Sequence, residues 1–141
     1  MSFEPGLIHA PLTPFDTDGR IDFDTYARTI AFHIANGADA LALPMHAGEA
    51  VSLPDVQKRE LIAFAVKQAG ATPVIAHASD SGTSIAADLA RAAEQAGAAA
   101  IVTTTPYYWT PPASMLVEHF AQVANATSLP FYVHNAPEDM A

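Results

Sequence analysis

The segment LALPMHAGEAV (41–51) is an apolar run that stops at a proline and then places His46 and Glu49 around Ala47 and Gly48. Imidazole changes charge near neutral pH, with an unperturbed pKa of about 6.5, so a histidine set on a strand end can carry protons. Two more histidines close apolar runs in the same way, His77 in TPVIAH and His134 in FYVHNAP. Three imidazoles on one rim could also bind zinc or a related metal, although loops gather polar residues without any such duty. His9 precedes Thr13 by four residues, about 13 Å along a strand, and is not expected to join them. His33 and His119 fall inside helical patterns and are read as structural. Tyr107 and Tyr108 are candidates either for chemistry or for packing at an interface. Asp16, Asp18, Asp22 and Asp24 form an acidic group that turn and cap duties explain.

For these side chains to meet, the elements that carry them must run in the same direction. Strand-like and helix-like segments alternate along the chain. The expected strands lie in GLIHAPLT (6–13), ADALALP, TPVIAH, AAAIVTTTP and LPFYVHNAP; the expected helices lie in DFDTYARTIAFHIANG, PDVQKRELIAFAVKQAG, SIAADLARAAEQAG and PASMLVEHFAQVANAT. Phe23, Tyr26, Ile30 and Ile34 stand at helical spacing, with Asp22 as N-cap and Gly37 as the stop. Pro54 suits a first helical turn, and Asp55 complements the positive helix end. Three helices end in near copies, ANGADA, QAGATP and QAGAAA, each leading straight into an apolar strand. The period of roughly thirty residues is that of one crossover unit, and doubly apolar strands with short loops imply a parallel sheet. A doubly wound open sheet and part of a closed (β/α)8 barrel both fit. No glycine-rich phosphate fingerprint follows the first strand, which weakens the dinucleotide-binding version.

Composition narrows the partners. With 141 residues, half of them hydrophobic, the chain is the size of one domain and can bury a core. Fifteen acidic residues against six basic ones give a net charge of -9, which repels phosphate backbones and anionic lipid. Nucleic acid and membrane are therefore not expected partners. There is no cysteine, which rules out disulfides, thiolate metal sites and thiol nucleophiles. The N-terminal residues lack a basic region followed by a long apolar one, so a soluble, cytoplasmic protein is expected.

PLTPFDTDGRIDFDTY, AGEAVSL, TTPYYWTPP with the following EHF, and LPFYVHNAP resemble a known family in order and spacing. It is the N-terminal half of the dihydrodipicolinate synthase and N-acetylneuraminate lyase family, matched from about Gly6 to Pro137. The resemblance implies a TIM (β/α)8 barrel of which residues 1–141 make the N-terminal half, about five strands and four helices. It implies a lyase or aldolase of the Schiff-base type acting on pyruvate or another 2-oxo acid, a homotetramer, and no separate cofactor.

Site residues follow by resemblance as well. MHAGE stands where the family carries Gly-Thr-Thr-Gly-Glu, whose hydroxyls and backbone amides hold the carboxylate of the 2-oxo acid. Gly48 and Glu49 match that motif. His46 and Ala47 depart from it, so they are expected to bind substrate through N–H groups with the hydroxyl contribution lost. His134 stands where the family has a proton-relay tyrosine, and Tyr108 matches the tyrosine supplied to a neighbouring subunit; both are expected to be catalytic. The chain's two lysines, Lys58 and Lys67, lie on the second helix, and the family's Schiff-base lysine comes from a sixth strand outside this sequence. A full barrel takes about 250 residues. Two alternatives stand beside the lyase: a non-catalytic truncated paralogue binding a carboxylate or a partner barrel, and a metal-dependent enzyme using the rim histidines. A half barrel is expected to leave open edges at its first and fifth strands and to carry helices on one face only.

Overall fold

The computed structural model describes residues 6–135. Within them, five strands form one parallel sheet in sequence order: β1 (Ile8–His9), β2 (Ala40–Leu43), β3 (Val74–His77), β4 (Ala100–Thr104) and β5 (Phe131–His134). Each gap between strands holds one helix: α1 (Phe23–Ala35), α2 (Asp55–Ala69), α3 (Thr83–Ala96) and α4 (Ala113–Ala124). The expected N-cap is in place, with Asp22 accepting the Thr25 N–H at 2.9 Å. Gly37 sits past the end of α1 at φ +89°, where a side chain would be strained. Asp16 accepts the N–H groups of Asp18 and Arg20, each at 2.9 Å, so the acidic group organises a turn as expected.

Two local expectations need correction. β1 is two residues long rather than eight: Pro11 has no N–H for a ladder, and the chain turns away from β2 after His9. Pro54 is the cap residue at ψ 151°, so α2 begins at Asp55 and not within the proline. The last residues of the LPFYVHNAP motif, Ala136 and Pro137, lie outside the described residues.

The alternation of side chains across the strands separates two apolar layers. Leu41, Leu43, Val74, Ala76 and Ile101 pack outward against Tyr26, Ile30, Leu61, Ile62, Leu89 and Val123 of the helices. Ala40, Ala42, Ile75, Ala100 and Val102 form a second layer on the opposite face. No helix among the described residues covers that face, which excludes a doubly wound sheet. One cleft of about 220 Å³ is lined by a residue from each strand, Ile8, Ala42, Ile75, Val102 and Tyr132, together with Met45. Outer strands of a flat five-stranded sheet stand about 19 Å apart at ~4.8 Å per strand and could not share such a cleft. The sheet therefore curls about an axis on its uncovered face, with Tyr132 and His134 of β5 pointing into the bowl. Among the described residues, no helix is long and apolar enough to cross a membrane.

Candidate active site

Parallel strands all end at the same rim of the curled sheet, and the loops leaving those ends carry the candidate residues. After β2 the chain makes a cis Leu43–Pro44 bond and a single 3-10 turn, His46–Gly48. Three internal bonds close this turn: Gly48 N–H to Met45 at 2.9 Å, Glu49 N–H to His46 at 2.9 Å and Ala50 N–H to Met45 at 3.3 Å. None of them uses the N–H of His46 or Ala47, which stand at its start. Gly48 is fixed from the other side, because Thr13 donates its hydroxyl to the Gly48 carbonyl at 2.7 Å. A Cβ on Gly48 would lie 3.2 Å from both the Pro11 carbonyl and the Thr13 hydroxyl, so a side chain there requires those neighbours to give way by a few tenths of an ångström.

Curling brings three imidazoles together. The His46 ring lies 5.8 Å from that of His134 and 6.1 Å from that of His77, centre to centre. On a flat sheet β2 and β5 would stand about 14 Å apart, so this contact depends on the closure of the bowl. His134 buries its Nδ1 without a partner among the described residues. His77 differs from both. It is 3% exposed, and burial, with help from the neighbouring His46, pushes its pKa down to about 3. It is therefore neutral at any working pH. Among the described residues no group of three or more histidines and acids is spaced to hold a metal, so the zinc alternative finds no ligand set.

The two tyrosines separate. Tyr107 turns inward, donating its hydroxyl to Asp80 at 3.2 Å, and burial beside that carboxylate raises its pKa to about 12. Tyr108 is 100% exposed at φ +85° and does not join His46 and His134 within this chain. Lys58 lies on α2 as expected; it is 4% exposed, with its ammonium 3.7 Å from Asp80. It precedes Leu61, Ile62 and Ala65 by three, four and seven residues, the spacing of the buried stripe. Lys67 is exposed.

A family model described as the dihydrodipicolinate synthetase family matches residues 4–140. A 4-hydroxy-tetrahydrodipicolinate synthase of Maridesulfovibrio salexigens is 39% identical over 138 residues, covering 97% of this chain and 47% of that relative. The synthase of Caldicellulosiruptor bescii is 35% identical over the same length and coverage. Among solved structures, dihydrodipicolinate synthase from Aquifex aeolicus superposes with a TM-score of 0.91 at 34% identity, over 96% of this chain and 46% of that one. A prophage protein of the same family from E. coli K12, in complex with pyruvate, gives 0.94 at 29% identity, over 99% and 47%. The chain thus spans about half the length of the curated relatives it matches. Its five parallel strands and four helices are half of a (β/α)8 barrel.

Proposed function

Because the chain belongs to the dihydrodipicolinate synthetase family, we propose that it forms the carboxylate-binding and proton-relay part of a Schiff-base lyase. The substrate is pyruvate or another 2-oxo acid, and the nucleophilic lysine comes from barrel strands beyond these residues. The observation that carries this is the meeting of the His46–Gly48 turn with His134 across the mouth, at 5.8 Å between rings. The N–H groups of His46 and Ala47 present donors for a carboxylate where the turn opens, and an anion accepts from amides whatever side chain they bear.

Proton movement falls to imidazole in place of a phenol. His134 has a buried Nδ1 without a partner among the described residues, and its ring centre lies 5.8 Å from that of His46, a spacing one water can bridge for proton exchange. Tyr108, held outward at positive φ, reaches a neighbouring subunit and completes that subunit's relay instead of its own. Lys58 is not the amine of this reading, since its ammonium is paired with Asp80 at 3.7 Å.

Borohydride reduction of the complete gene product in the presence of pyruvate tests this. The expected result is one reduced adduct on a lysine other than Lys58 or Lys67. Absence of any lysine adduct removes the Schiff-base mechanism.

A further inference from the structure

The two amides proposed to receive the carboxylate are held from their carbonyl side. A peptide group is planar, so the N–H of His46 turns with the carbonyl of Met45, and the N–H of Ala47 with the carbonyl of His46. Both of those carbonyls are engaged inside the turn. Met45 accepts the Gly48 N–H at 2.9 Å and the Ala50 N–H at 3.3 Å, and His46 accepts the Glu49 N–H at 2.9 Å. The Glu49 N–H belongs to the peptide whose carbonyl is that of Gly48, and this carbonyl accepts the Thr13 hydroxyl at 2.7 Å. A line of bonds thus runs from Thr13 to the Gly48–Glu49 peptide and from there to the His46–Ala47 peptide, whose N–H heads the turn.

Thr13 reaches this place from another part of the chain. It lies 35 residues before Gly48, in the loop that turns away from β2 after His9, and is only 7% exposed. Glu49 has left-handed backbone at φ 59° and ψ 35°, which a residue with a side chain seldom adopts, so the peptide that precedes it needs holding. Hydrogen bonds in line also polarise one another, so the Thr13 hydroxyl makes the Ala47 N–H a better donor as well as a better aimed one. We infer that Thr13 is a positioning residue whose hydroxyl orients the Gly48–Glu49 peptide, and through it the Ala47 amide, for the carboxylate of the 2-oxo acid. The inference rests on the carboxylate-binding role proposed for that turn.

The test uses the complete gene product as wild type, T13V and T13S. Valine keeps the shape and removes the hydroxyl; serine keeps the hydroxyl and removes a methyl group. Borohydride trapping over a range of pyruvate concentrations separates binding, read as the half-saturating concentration, from the chemistry of the amine, read as adduct at saturation. Loss of one positioning hydrogen bond corresponds to about a tenfold change in binding. T13V is therefore expected to raise the half-saturating pyruvate concentration about tenfold with the adduct at saturation unchanged, and T13S to stay within about threefold of the wild type. A half-saturating concentration unchanged in T13V, or raised as far in T13S as in T13V, overturns the inference. Where T13V does not fold, T13A takes its place with the same expected rise and the same refuting result. Failure of the lyase reading shows separately, as no borohydride-trapped adduct in the wild type. In that case the amide resonances of Ala47 and Glu49 report on the turn directly: they are expected to shift in T13V and to return toward the wild type in T13S, and their being the same in T13V as in the wild type overturns the positioning role.

Discussion

Lys58→Met tests whether the cluster beneath the rim is held by charge. The ammonium of Lys58 has a side chain only 6% exposed and sits 3.7 Å from Asp80, itself 20% exposed. Removing one partner of a fully buried pair costs about 3–5 kcal/mol, because the other charge stays behind in low dielectric. Here the remaining carboxylate keeps two donors, the Gly82 N–H at 2.9 Å and the Tyr107 hydroxyl at 3.2 Å, and retains some access to water. The expected cost is therefore lower, about 2–3 kcal/mol. Neutralising both partners in K58M/D80N removes the orphaned charge, so the double variant is expected to be about 1.5 kcal/mol or more better than the sum of the single losses. Urea unfolding of the complete gene product measures this as shifts in midpoint at constant slope. A K58M cost under about 0.5 kcal/mol, or strict additivity with D80N, refutes the argument.

Acid weakens the fold through His77. Its folded pKa of about 3 lies below the unfolded value near 6.5, so the unfolded state binds the extra proton between those limits and stability falls as pH drops through them. At about 1.4 kcal/mol per unit, His77 alone accounts for roughly 2 kcal/mol lost between pH 6.5 and 5. His33 and His119, both pushed down by burial, act in the same direction, and denaturant titrations at the two pH values measure the total, with H77F showing the flatter dependence. Gly48→Ala is expected to cost about 1–3 kcal/mol and to weaken pyruvate binding, since its Cβ meets the Pro11 carbonyl and Thr13 hydroxyl at 3.2 Å; thermal unfolding and isothermal titration check both. His134→Phe is expected to lower kcat by about 10²-fold or more while pyruvate still forms its borohydride adduct, because the relay is lost and the amine is not.

The architecture was legible because two periods rarely coincide by chance. Apolar runs such as AAAIV alternate with helical stripes such as Phe23, Tyr26, Ile30 and Ile34, and the repeated QAG exits fix the crossover length. Periodicity alone left an open sheet and a barrel both standing; the four motifs that resemble the family decided for the barrel, and helices on one face only agree with it. Strand ends were harder. The first strand extends in sequence through Pro11 and Leu12, but a proline cannot join the ladder and only His9 and Ile8 pair. The mouth was legible in part: His46 and His134 each stood at a strand end, and parallel topology alone brings such ends to one rim. The burial of Lys58 is written in its spacing to Leu61 and Ile62. Its partner Asp80 lies in a loop with no periodicity to place it. The distinct condition of His77 depended on His46, Ser79 and Thr104 converging from three segments, which no local pattern encodes.

The central claim is that the curled sheet gathers the His46–Gly48 turn and His134 around one 2-oxo acid. A crystal structure of the complete gene product with the borohydride-trapped pyruvate adduct measures it most directly. The account predicts carboxylate oxygens within hydrogen-bond distance of the His46 and Ala47 N–H groups and the His134 ring facing the reduced carbon. An adduct whose carboxylate lies elsewhere, with His46 and His134 both out of reach, contradicts it.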